Sequence, residues 1–139
     1  GVRLGWAYCP EAVADVLNRI RPPFNVTSAA QGAGIAAVND VEFLTRSRDH
    51  NTAWLTWLSD RLAEAGLDVV PSIGNFVLVR FPEDGVHDAQ SAMKFLASRG
   101  IIPRSTASAG IPDGIRITVG VEDEMRLTMT AITDFMTQS

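Results

Sequence analysis

Apolar and polar positions along this chain change period several times, and each change marks an element. From Gly114 to Gly120 the run Gly-Ile-Arg-Ile-Thr-Val-Gly alternates with period two. Ile115, Ile117 and Val119 go to one face and Arg116 and Thr118 to the other, which predicts a half-buried strand. Val77 and Val79 alternate with Leu78 and Arg80 in a second strand over Asn75 to Phe81. Shorter extended stretches are expected at Val2 to Tyr8, Asp68 to Pro71 and Ile101 to Arg104. The helical period appears at Val13, Val16, Leu17 and Ile20, and at Trp54, Leu58, Leu62 and Ala65. It returns at Ala89, Ala92, Met93, Phe95 and Leu96, and again at Met125, Met129, Ile132 and Met136. Between Ser28 and Val38 the residues are almost all small, which predicts a helix that lies close against another element.

The boundaries have local causes. Pro10 opens the first helix, where a missing N–H is tolerated, and Glu11 suits the positive end of the macrodipole. Pro22 and Pro23 end it. Asn39 or Asp40 caps a long helix from Val41 to Ala65, with Glu42 placed to complete a box with Asn39, and Gly66 stops it. Gly100 stops the helix that starts near Ala89, and a last helix runs from Val121 to about Met136. The acids Glu122, Asp123 and Glu124 at its start suit the helix dipole and need no acid–base chemistry. From Asp68 on, the order strand, strand, helix, strand, strand, helix predicts a small sheet with helices on one face, an α+β layer. Residues before about Val41 have a different character; their opening strand has no evident partner, so they read as a piece of another domain.

Composition narrows the chemistry. The 139 residues carry a net charge of -4, which argues against a nucleic-acid or anionic-membrane surface. Cys9 is the single cysteine, so no internal disulfide framework exists and a cytoplasmic location is expected. His50 and His87 are not spaced as metal ligands, no serine sits in a nucleophile elbow, and Gly32-Ala33-Gly34 lacks the dinucleotide pattern. Neither a metal nor a catalytic residue is therefore expected in the chain. Arginine placement is what remains. Arg3 and Arg116 interrupt apolar runs and Arg104 ends one, just before the small-residue loop Ser105 to Asp113. A guanidinium on a strand is either solvated or a rigid clamp for carboxylate or phosphate, and the local pattern leaves both open.

The order of motifs adds a family likeness. Gly1-Val2-Arg3-Leu4-Gly5-Trp6, the proline-opened helix, and Pro23-Phe24-Asn25-Val26 are followed by Asn75-Phe76-Val77-Leu78-Val79-Arg80-Phe81. Gly100-Ile101-Ile102-Pro103-Arg104 and Gly114-Ile115-Arg116-Ile117-Thr118-Val119-Gly120 come next. In this order they resemble the C-terminal part of histidinol-phosphate aminotransferases, along the whole chain. The resemblance implies an α/β protein of pyridoxal-phosphate fold type I. Residues 1–40 would be the last strand and helices of a large cofactor-binding domain, 41–66 a connecting helix and 67–139 a small C-terminal α+β domain. It also implies a homodimer acting on a phosphorylated amine and a 2-oxo acid, with Arg3 on the cofactor phosphate and Arg104 and Arg116 on the substrate's anionic groups.

One departure matters for activity. Such an enzyme needs a lysine to bind pyridoxal phosphate covalently, and Lys94 is the only lysine here, on an amphipathic helix in no matching context. The chain alone is therefore expected to be inactive. The alternatives are another aminotransferase or a threonine-phosphate decarboxylase of the same superfamily, or a non-catalytic anion-binding or assembly module.

Overall fold

A computed structural model describes residues 1–138. The chain divides into two compact units, Gly1–Arg46 and Ser47 onward.

In the first unit, Gly1 to Pro10 adopt no regular element, so the strand expected at Val2 to Tyr8 is absent. A strand is made by pairing, and this unit offers no second strand to take up its N–H and C=O groups. Helix α1 (Glu11–Ile20) starts on Pro10, whose carbonyl accepts from the N–H groups of Val13 and Ala14 at 3.0 Å. None of its residues is buried, and its apolar stripe of Val13, Val16, Leu17 and Ile20 is exposed. Helix α2 (Ser28–Asn39) is capped by Thr27, whose hydroxyl accepts from the Ala30 N–H at 3.1 Å. Its small residues permit a close approach: a Cβ on Gly34 would lie 2.2 Å from Leu4 Cδ2.

Helix α3 (Val41–Glu64) is capped by Asp40, which accepts from the Phe43 N–H at 2.9 Å. Asn39 turns back to donate to the Ile35 carbonyl, so the expected box between Asn39 and Glu42 does not form. Gly66, at φ +84°, ends the helix in the left-handed conformation that a side chain would strain.

Beyond it the expected alternation is realised. Strands β1 (Asp68–Val70), β2 (Phe76–Arg80), β3 (Arg104–Ser105) and β4 (Gly114–Thr118) form one antiparallel sheet in the order β1-β2-β4-β3. Helix α4 (Ala89–Ser98) joins β2 to β3, and α5 (Glu122–Met136) follows β4. Asp88 caps α4 by accepting from the Ser91 N–H at 2.7 Å. The Glu124 carboxylate reaches back to the Val121 N–H at 3.0 Å, which gives the acids at the start of α5 a structural role.

Val77, Val79, Ile115 and Ile117 on the sheet form one cluster with Leu58 and Leu62 of α3, Leu96 of α4, and Met125, Ile132 and Phe135 of α5. Helices therefore cover one face, as the alternation predicts. The strand expected over Ile101 to Arg104 shrinks to Arg104–Ser105. Gly100 is left-handed at φ +76°, and the Ile101 N–H turns back to the Leu96 carbonyl at 2.9 Å to close the helix. Pro103 has no N–H to give a ladder.

Candidate functional site

Register decides where the arginines of the sheet point. On β4, Ile115 and Ile117 enter the core, so Arg116 between them faces away from the helices. Antiparallel pairing sets Arg104 of β3 directly opposite Arg116, and residues opposite each other share a face. The structure thus brings the two substrate-binding candidates together on the helix-free face of the sheet. Arg116 is half-buried and Arg104 is exposed.

Two like charges facing each other across a ladder repel. Most arginines of the chain are neutralised locally: Arg19, Arg48, Arg61, Arg80, Arg99 and Arg126 each have a carboxylate partner. Arg104 and Arg116 have none among the described residues. A pair of unneutralised guanidinium groups on one face is what a dianion needs, because it can take two planar forks at once.

The loop that follows Arg104 is fixed by its own bonds. The Thr106 hydroxyl donates to the Ile111 carbonyl at 2.9 Å, and the Thr106 N–H reaches the Gly114 carbonyl at 3.3 Å. Gly114 has to be glycine, since a Cβ there would lie 2.4 Å from Thr106 Oγ1 and 2.9 Å from Ile111 Cγ2. The small-residue loop is thereby folded tightly beside the arginine pair.

Phe76 is the residue that sequence reasoning misses. It pairs with Thr118 on β4, two positions from Arg116, and the Arg116 guanidinium carbon lies 4.8 Å from its ring centroid. Arg116 Nε is shut off from solvent with no hydrogen-bond partner. An unpaired buried donor costs about 1–3 kcal/mol, and a ring face beneath the cation returns about 0.5–2 kcal/mol. The guanidinium is held, but not satisfied. Period two puts Phe76 and Leu78 on one face of β2, yet only the register with β4 reveals which arginine meets the ring.

Two long-range tethers fix the end of the sheet where β2 begins and β4 finishes. His50 of α3 donates from Nε2 to the Gly120 carbonyl at 2.9 Å, just past β4. Asn51 donates to the Gly74 carbonyl at 2.9 Å, in the turn before β2.

Arg3 belongs to the other unit. It is exposed, sits at φ +56°, and has no ion pair or side-chain hydrogen bond among the described residues. Lys94 is exposed on α4. A cleft of about 480 Å³ lined by Arg99, Ile101, Ile102, Leu127 and Ala131 contains none of the candidate arginines. Among the described residues no three histidine, cysteine or carboxylate groups are placed to share a metal ion, and no helix is long and apolar enough to cross a membrane.

Comparison with known proteins gives the family. The model of a family described as aminotransferase class I and II matches residues 1–132. The chain is 54% identical, over 98% of its length, to a histidinol-phosphate aminotransferase of Paramagnetospirillum magneticum, and 49% identical over 98% to one of Rhodospirillum centenum. It spans 38% and 37% of those relatives, well under half of each. Among solved structures, histidinol-phosphate aminotransferase from Sinorhizobium meliloti in complex with pyridoxal-5'-phosphate superposes with a TM-score of 0.77 at 27% identity. That match covers 90% of this chain and 34% of the solved one.

Proposed function

The chain belongs to the class I and II aminotransferase family, and from that premise we propose that it is the C-terminal part of a histidinol-phosphate aminotransferase. The parent enzyme moves an amino group between histidinol phosphate and 2-oxoglutarate, in histidine biosynthesis, as a cytoplasmic homodimer using pyridoxal phosphate. Residues 1–40 belong to its cofactor-holding domain, 41–66 to a connecting helix and 67–139 to its small domain.

The observation that carries the reading is the Arg104–Arg116 pair, opposed across β3 and β4 and lacking carboxylate partners among the described residues. The relatives named above, at 54% and 49% identity, support the choice of a phosphorylated substrate.

The chain fits the cofactor in part. Arg3, without an ion pair among the described residues, suits the cofactor phosphate. Lys94 is exposed on α4 and does not suit the covalent role, so that amine belongs to another segment of the parent. When bound, pyridoxal phosphate supplies a ring that draws electron density from the substrate carbon. The residues of this chain bind and orient. Arg116 takes an oxyanion of the substrate edge-on, and Arg104 supplies the second charge to the same phosphate. Neither guanidinium moves a proton, because arginine stays charged throughout the working pH range.

The reading is tested by assaying the full-length protein, loaded with pyridoxal phosphate, on histidinol phosphate, histidinol, phenylalanine and threonine phosphate. A site built for the phosphate should prefer histidinol phosphate to histidinol by about 100-fold or more in kcat/KM. Better turnover of phenylalanine would move the chain to the aromatic branch of the superfamily. Loss of carbon dioxide from threonine phosphate would make the parent a decarboxylase.

A further inference from the structure

We propose that Phe76 is a positioning residue for the anion grip: its ring holds the Arg116 guanidinium as a fixed flat fork that presents an edge to the substrate. The proposal rests on the reading of Arg104 and Arg116 given above, and adds a residue that acts through one of them.

Three observations converge on it. The guanidinium carbon of Arg116 stands 4.8 Å from the Phe76 ring centroid, on the helix-free face. Arg116 has no carboxylate or other hydrogen-bond partner among the described residues to decide its rotamer, and its Nε is closed off from solvent. The ring is therefore the contact that selects among the conformations of a long side chain. With Nε closed off, the two terminal NH2 groups of Arg116 are the donors left for carboxylate or phosphate oxygens, and a ring beneath the guanidinium leaves that edge free. An arginine already placed loses less freedom when the anion arrives.

Phe76 is itself fixed. The Ser72 hydroxyl donates to the Phe76 carbonyl at 2.6 Å and accepts from the Gly74 N–H at 3.1 Å. Asn51 of α3 grips the Gly74 carbonyl at 2.9 Å. A Cβ at Gly74 would meet Phe76 Cε1 at 3.4 Å, an ordinary van der Waals contact, so the turn lies directly against the ring. The path runs from α3 through the 72–76 turn to the ring, and from the ring to the guanidinium.

The test uses the full-length protein with Phe76→Leu, which nearly keeps the volume and removes the ring face, and Phe76→Tyr, which keeps the face. Three readouts are taken: the KM and kcat for histidinol phosphate, the inhibition constant for inorganic phosphate, and the chemical shifts of the Arg116 side chain, assigned with Arg116→Lys. In the wild type the ring current should move the Arg116 Hδ and Hε signals upfield. Phe76→Leu should raise KM and the phosphate inhibition constant about three- to tenfold, with kcat within about twofold, and Phe76→Tyr should restore both. Unshifted Arg116 signals in the wild type would overturn the proposal, even if the leucine variant failed to fold. So would wild-type phosphate affinity in a folded Phe76→Leu, or equal losses in the leucine and tyrosine variants. If the wild type did not act on histidinol phosphate, the functional reading would fall, while the ring-current shift and the phosphate inhibition of whatever reaction it runs would still decide the role of Phe76.

Discussion

Arg104 and Arg116 end on one face of the sheet because the strand period and the β3–β4 register leave no other choice. The period was legible in the sequence, since Ile115, Ile117 and Val119 alternate with Arg116 and Thr118. The register was not, because it depends on how the loop from Thr106 to Asp113 closes. Gly114 is the residue on which that closure turns. Gly114→Ala should lower stability by about 1–3 kcal/mol through forced contact with Thr106 and should weaken anion binding, which thermal unfolding and phosphate inhibition would measure. In the loop after β2, protonated His87 donates from Nδ1 to Asp84 at 3.1 Å and from Nε2 to the Gln138 carbonyl at 3.0 Å. The Asp84 hydrogen bond, followed by the Gln138 carbonyl, raises its pKa above the ordinary 6.5. A raised folded-state pKa means that the protonated histidine stabilises the fold fully below 6.5, and that this contribution is lost as pH rises through the folded value. An NMR titration should show the His87 midpoint above 6.5, and Asp84→Asn should bring it down.

Elements were legible wherever a repeated apolar period met a clear stop. α3, α4 and α5 appear close to where the stripes and the glycines at positions 66 and 100 place them. Two strands were over-read for one physical reason, that propensity makes a strand only when a neighbour pairs with it. Val2 to Tyr8 has no partner in its own unit, the Ile101 N–H is used to close α4, and Pro103 has no N–H to pair. The caps are where single changes should tell. Asp88→Ala removes the bond to the Ser91 N–H and should cost about 1 kcal/mol. The same bond holds the Asp88 carboxyl below its ordinary 3.8, so this stabilisation is present above 3.8 and lost as pH falls through the lowered value. Comparing acid unfolding of the wild type and Asp88→Ala checks both points: the curves should converge at the acid end. Asn51→Ala, which frees the Gly74 carbonyl on the path to Phe76, should cost about 1 kcal/mol and raise the phosphate inhibition constant.

At the scale of the molecule, the two units differ in how much they bury. The unit from Ser47 on has an extensive core that includes Leu58, Leu62, Leu96 and Ile132, whereas in Gly1–Arg46 Ala30 is the buried apolar residue. Trp6 and Tyr8 are 77% and 97% exposed. Hydrogen exchange of this chain alone should therefore show strong protection in β2, β4 and α5 and fast exchange through Gly1 to Pro10. Protection at Leu4 and Gly5 equal to that of β4 would contradict it. The direct test of the grip itself is made on the full-length protein, by comparing kcat/KM for histidinol phosphate and for histidinol in the wild type, Arg104→Gln and Arg116→Gln. If the two guanidinium groups share the phosphate, Arg116→Gln should lose about 100-fold on the phosphorylated amine and little on histidinol, with a smaller selective loss for the exposed Arg104. An unchanged preference for the phosphorylated amine in both variants would show that these arginines do not hold it.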